Sequence, residues 1–124
     1  MSHSQAFLEL VNDAKSRVKE VDVSGADEIQ KLDPRAMLID VREDDEWRLE
    51  HVRGARHIGK GVIERDIEKL VPDKNRTLLL YCGGGFRSAL AADNLMKMGY
   101  LNVYSVDGGF RAFKEAGKEM ESGD

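Results

Sequence analysis

Cys82 is the only cysteine among 124 residues, and it stands in the run Tyr81-Cys82-Gly83-Gly84-Gly85-Phe86-Arg87-Ser88. A thiol beside three glycines, with an arginine and a serine following, is a set of side chains suited to nucleophilic attack and to holding an anion. The residues before it, Thr77-Leu78-Leu79-Leu80-Tyr81, form a short apolar run of the kind that fills a buried parallel strand. Those after it, Ser88 to Met96, carry apolar side chains at helical spacing, with Ser88 as the expected cap. A thiol at the mouth of a helix faces unpaired N–H groups and the positive end of the helix dipole, and both favour thiolate over thiol. The glycines let the loop curl so that the amides of Gly83 through Ser88 point inward as a cradle. If Gly84 takes a positive φ in that curl, an alanine there damages it. A free cysteine also serves elsewhere as a small core hydrophobe. The glycine run and the helix after it argue against that use here.

The elements around this loop follow from periodicity. Gln5 to about Val18 places Phe7, Leu8, Leu10, Val11, Ala14 and Val18 at spacings of three and four, an amphipathic helix that packs on the domain edge or forms a dimer contact. Residues 18–23 alternate as a short edge strand, and Ser24 is expected to cap a helix that ends before Asp33-Pro34. Residues 36–41 read as a second buried strand, followed by an acidic turn and a short helix over 44–49. Arg56-His57-Ile58 is a weak strand, and 62–70 has helical spacing. Residues 102–106 form the last strand and 110–118 the last helix, before a polar tail, 119–124, expected to fray. Alternating strands and helices predict one α/β domain: a mostly parallel sheet of about five strands with helices on both faces. Ligands in such sheets bind beyond the carboxyl ends of the strands, which puts Asp40-Val41-Arg42 and Cys82 on one rim.

Composition excludes several classes. The net charge is −4 and Lys and Arg are scattered, which argues against a nucleic-acid binder. No apolar stretch reaches membrane-spanning length. The N-terminal residues Met1 to Gln5 lack the basic-then-apolar layout of a secretory signal, so the expected location is the cytoplasm. A single cysteine allows neither a CxxC redox cycle nor a multi-cysteine metal site, and His3, His51 and His57 show no ligand spacing. Whatever Cys82 begins must be completed by a group from outside the chain.

Four segments, in order, resemble the single-domain rhodanese-like sulfurtransferases over roughly residues 20–118, with the helix before them part of the same unit. They are Asp40-Val41-Arg42-Glu43 with Glu46; His51 through Ile58; Tyr81 through Ala89, of the form Cys-x-x-Gly-x-Arg-Ser; and Gly99-Tyr100, Asn102-Val103 and Asp107-Gly108-Gly109. The resemblance implies a three-layer fold with no cofactor and no metal. It also implies a Cys82 thiolate that takes sulfane sulfur from thiosulfate or a persulfide and yields it to cyanide, a thiol or a protein cysteine. Gly83, Gly84, Gly85, Phe86, Arg87 and Ser88 would hold the substrate. The expected assembly is a monomer or weak homodimer. Cysteine phosphatases and arsenate reductases place one residue more between cysteine and arginine than the Gly83, Gly84, Gly85 and Phe86 found here. An idle protein-binding module is the other alternative. Basic residues that two-domain members carry in the loop and on the facing turn are absent, with Glu46 on that turn, so thiosulfate is expected to be a poor donor.

Other residues carry two readings each. Arg87 presents its guanidinium to an incoming anion or ties the loop to a carboxylate such as Asp40. Asp40 and Arg42 are either catalytic or, the favoured reading, a pair bracing the loop from behind. His51 and His57 are not needed as acid–base groups, because persulfide transfer moves little proton charge. Trp47 is read as a partly buried anchor of its short helix.

Overall fold

The computed structural model describes residues 3–123; Met1, Ser2 and Asp124, the outermost residues of the expected N-terminal unit and polar tail, lie outside them. The first half of the chain runs α1 (Gln5–Lys15), β1 (Lys19–Val21), α2 (Val23–Leu32), β2 (Met37–Asp40), α3 (Asp44–Leu49), β3 (His51–Val52) and β4 (Arg56–His57). The second half runs α4 (Ile63–Leu70), β5 (Leu78–Tyr81), α5 (Phe86–Lys97), β6 (Val103–Val106), α6 (Gly109–Glu115) and β7 (Met120–Glu121).

Five strands form one sheet in the order β1-β6-β5-β2-β4, every neighbouring pair parallel. Strands β2 and β5 are buried at every position: β5 is apolar throughout, and in β2 the apolar Met37–Ile39 ends in the buried Asp40. Their side chains alternate between two cores. Leu78 and Leu80 face Ile63, Ile67, Ala91 and Leu95 of α4 and α5. Leu79 and Tyr81 face the opposite layer, with Ala26 of α2 and Phe113 of α6. The expected α/β architecture, a parallel five-stranded sheet between helical layers, is what the chain forms.

Three boundaries differ from the sequence reading. Asp22, not Ser24, caps α2: its carboxylate accepts the Gly25 N–H at 2.7 Å. An aspartate one residue before the helix satisfies an orphan amide as well as a serine does, and both were available. Ser88 does not cap α5, which begins two residues earlier behind Gly85, whose φ of 110° turns the chain into the helix. The tail does not simply fray. Met120 pairs with Val52 and Glu121 with His51 in a second, antiparallel sheet. Arg53 N–H also donates to the Glu119 carbonyl at 3.0 Å. Two-residue strands carry no periodicity, so nothing local announced this pairing.

Among the described residues no helix is long and apolar enough to cross a membrane.

Candidate active site

The buried run Leu78–Tyr81 delivers Cys82 to the carboxyl end of the central strand, and α5 carries the chain away. Between them the loop folds back over the sulfur. The Gly85 N–H donates to Cys82 Sγ at 3.1 Å and the Ser88 N–H at 3.4 Å. The Ser88 hydroxyl lies 3.5 Å from Sγ and is itself positioned by Ser105 Oγ at 2.8 Å. Cys82 is only 1% exposed. Burial pushes its thiol up, but the Ser88 hydroxyl and the amides of Ser88, Gly85 and Gly84 outweigh it and hold the thiol below its ordinary value. Cys82 sits in the apolar core beneath α4 and α5, but its sulfur meets inward-pointing donors at the loop, and these favour the anion.

Glycine is required at two places around this loop. Gly85 needs its positive φ. Gly109 comes from α6, where a Cβ would collide with the Cys82 carbonyl and the Gly83 backbone. This contact lets the Phe110 N–H reach the Cys82 carbonyl at 2.7 Å and fixes the loop from behind. Gly84 is different. It has no positive φ, and an added Cβ would lie 2.5 Å from Arg111 Nη2, so what it makes room for is a guanidinium.

Arg87 bonds a carboxylate, but the partner is Glu46 rather than Asp40, with contacts of 2.7 and 3.2 Å. The guanidinium hydrogen bond holds the Glu46 carboxyl below the usual range. Glu46 also accepts the Glu43 N–H at 3.0 Å, so one side chain both closes the start of α3 and clasps the loop. Asp40 and Arg42 form a buried pair. Asp40 Oδ2 accepts from Arg42 Nη2 at 2.8 Å, and that nitrogen also donates to the Glu50 carbonyl at 2.7 Å. Neither side chain hydrogen-bonds or ion-pairs with Gly83–Ser88. The connection to the loop is indirect, through the Arg42 guanidinium 4.2 Å from the Phe110 ring centroid.

Above the sulfur opens a cleft of about 450 Å³, lined by Gly83, Gly84, Phe86 and Arg87 of the loop and by His3, Phe7 and Arg111 from outside it. A larger, more open depression of about 560 Å³, between Gln30, Val52 and Phe113, is lined by no cysteine. Of the two, the cleft over Cys82 is the one that reaches a thiol.

A family model described as the rhodanese-like domain matches residues 23–116. The chain belongs to the rhodanese-like family. Its curated relatives include the thiosulfate sulfurtransferase GlpE of Coxiella burnetii, 35% identical over 63% of this chain and 71% of that one. Thiosulfate sulfurtransferase PspE of Escherichia coli is 40% identical over 56% of this chain and 67% of its own. Among solved structures, a Rhodopseudomonas palustris protein of unknown function, described as a possible tyrosine phosphatase, superposes with a TM-score of 0.84 at 25% identity, covering 98% of each chain.

In this rhodanese-like domain four side chains at the cleft or behind its loop were not singled out as site residues from sequence. Ser105 supports Ser88 from the neighbouring strand. His3 and Phe7 reach the cleft from α1 and the residues before it, where Phe7 read as one more apolar position of an amphipathic helix. Arg111 follows Gly108-Gly109 with no signal of its own, and only the fold of α6 across Gly83 brings it to the cysteine.

Proposed function

We propose that this protein is a sulfurtransferase in which Cys82 carries sulfane sulfur between a donor and an external thiophilic acceptor. The observation that carries this reading is a sulfur held by inward-pointing amides at the foot of an open cleft. The Cys82 thiolate attacks the outer sulfur of the donor. A new S–S bond forms, the donor's S–S bond breaks, and its electron pair leaves with sulfite when thiosulfate is used or with a thiolate when a persulfide is used. The terminal persulfide sulfur then takes the place in the amide cradle that the thiolate vacates, as preorganised donors hold a displaced anion. Cyanide in vitro, or a thiol or protein cysteine in the cell, attacks that outer sulfur and restores the Cys82 thiolate. With no second cysteine in the chain, discharge is intermolecular.

The loop's length supports this over phosphoryl chemistry. Only Gly83, Gly84, Gly85 and Phe86 separate Cys82 from Arg87, and Arg87 is bound to Glu46 rather than free to bracket a tetrahedral oxyanion.

Intact-mass spectrometry tests the reading. After incubation with thiosulfate or a small-molecule persulfide, wild-type protein gains the mass of one sulfur and Cys82→Ser gains none. Failure of every donor to add sulfur, or hydrolysis of an aryl phosphate dependent on Cys82, would replace this reading with a binding module or a phosphatase.

A further inference from the structure

The hydrogen bonding around Cys82 continues behind the loop, into the sheet. Ser105 stands on β6 opposite Leu80 of β5. Two residues before it, Val103 faces the apolar core with Leu78 and Leu80, so strand alternation turns Ser105 toward the same layer, beneath α5. A hydroxyl is out of keeping with that layer, and neither Ser105 nor Ser88 has any exposed surface. Ser105 Oγ lies 2.8 Å from Ser88 Oγ and has no other partner among the described residues. Ser88 Oγ lies 3.5 Å from Cys82 Sγ. Two buried hydroxyls thus form a chain that ends on the sulfur.

Proton counting sets the direction of this chain. With Cys82 as thiolate, two hydroxyl protons face two acceptors: Ser105 O–H donates to Ser88 Oγ, and Ser88 O–H donates to the sulfur. The opposite direction would turn the Ser88 proton away from the anion. It would also leave the Ser105 proton without an acceptor in a buried site, which is costly. A neutral thiol brings a third proton to the same two contacts, so one proton goes unpaired. A hydroxyl that itself accepts a bond is a more strongly polarised donor, and the bond to an ionised sulfur is the stronger kind. Ser105 therefore favours the anion through Ser88 without meeting it.

We propose that Ser105 is a positioning residue for sulfur transfer, aiming the Ser88 hydroxyl at Cys82 Sγ so that the chain stabilises the thiolate released in the discharge step. This inference rests on the sulfur-transfer reading above. While sulfur is loaded, Sγ is bonded to the outer sulfur and carries no charge, so Ser88 faces a weak acceptor. When cyanide attacks, a carbon–sulfur bond forms, the S–S bond at Sγ breaks, and its electron pair returns to Sγ. Cyanide and the persulfide bring one negative charge each, and thiocyanate and the thiolate carry one each away. The returning charge appears where the two hydroxyls already point, with no reorganisation required.

The test uses the full chain with Ser105→Ala, Ser88→Ala and both together. Alkylation of Cys82 by iodoacetamide against pH is expected to move its inflection upward in Ser105→Ala, by less than in Ser88→Ala. The double variant matches Ser88→Ala, because without Ser88 nothing links Ser105 to the sulfur. The charged groups beside the loop, Arg87 paired with Glu46 and Arg111 across Gly84, are the same in all variants. A leaving thiolate of higher pKa departs more slowly, whereas an attacking one of higher pKa is the better nucleophile. At a pH above every inflection, Ser105→Ala therefore slows cyanide discharge of the isolated persulfide by about threefold and leaves loading from thiosulfate unchanged or faster. Loosened packing alone would slow both. Should Ser105→Ala fold poorly, Ser105→Thr and Ser105→Val repeat the comparison, being alike in shape and differing in the hydroxyl. The threonine keeps the wild-type inflection and discharge rate, and the valine loses both. An unmoved inflection in Ser105→Ala, additive shifts in the double variant, or equal slowing of loading and discharge would overturn the role of Ser105 and leave sulfur transfer intact. Wild-type protein that takes up no sulfur from any donor would instead remove the sulfur-transfer reading and the discharge role with it.

Discussion

At the scale of single residues, the chemistry depends on a few atoms around Sγ. The Ser88 hydroxyl and the amides of Ser88, Gly85 and Gly84 favour the anion by more than burial opposes it. The pH dependence of iodoacetamide alkylation of Cys82 is therefore expected to show its inflection below the free-thiol value of about 8.5. Ser88→Ala removes one donor to the anion and raises that inflection. The same depression gives a sign for stability. The thiolate's contribution is complete above the unfolded thiol's pKa and is lost as pH falls through the lower, folded value. Cys82 and its six following residues were legible because glycine runs and a lone thiol are rare, and their meaning is local. Arg111 was not, since its role arises from α6 crossing Gly83 and from the emptiness of Gly84. Sequence reading left open whether Gly84 takes a positive φ; it does not, and the positive φ in the loop falls on Gly85.

At the scale of elements, the loop is positioned by what meets it from three sides. Strand β5 supplies its start, α3 clasps Arg87 through Glu46, and α6 presses a glycine against its carbonyl. The last of these gives a sharp prediction. Gly109→Ala adds a Cβ where the Cys82 carbonyl already stands, at a φ of 52° that alanine adopts poorly. Urea unfolding is expected to show a loss of about 2–4 kcal/mol, from overpacking and left-handed strain together, with sulfur loading abolished. An alanine variant of native stability and activity would mean that the α6 contact does not shape the loop. Strands β2, β5 and β6 and helix α5 were readable because their apolar runs are long enough to have a period. The β3–β7 pair was not, because it joins His51–Val52 to residues near the other end of the chain, and two residues have no period to read. Helix α3 shows an intermediate case: from sequence its start read only as an acidic turn before a short helix, yet one of those carboxylates, Glu46, holds the loop over Cys82.

At the scale of the whole molecule, the parallel order β1-β6-β5-β2-β4 puts the ends of β2 and β5 side by side, so Asp40-Val41-Arg42 and Cys82 share a rim, as the alternation of elements had implied. The family's matched span begins at residue 23, after α1, yet α1 packs on α5 and carries Phe7 into the cleft. Removing residues 3–16 withdraws the buried Val11 and Ala14 and the half-buried Phe7 and Leu8. The loss expected in urea unfolding is on the order of 4 kcal/mol. An unchanged midpoint would show that α1 is an appendage rather than part of the domain. All these levels converge on one claim, that Cys82 is a sulfur carrier discharged by a second molecule. The most direct measurement isolates the sulfur-loaded protein from its donor and adds cyanide. One thiocyanate released per sulfur bound, with the protein returning to its starting mass, is the predicted result. A bound sulfur that stays on the protein, or thiocyanate produced equally by Cys82→Ser, would contradict it.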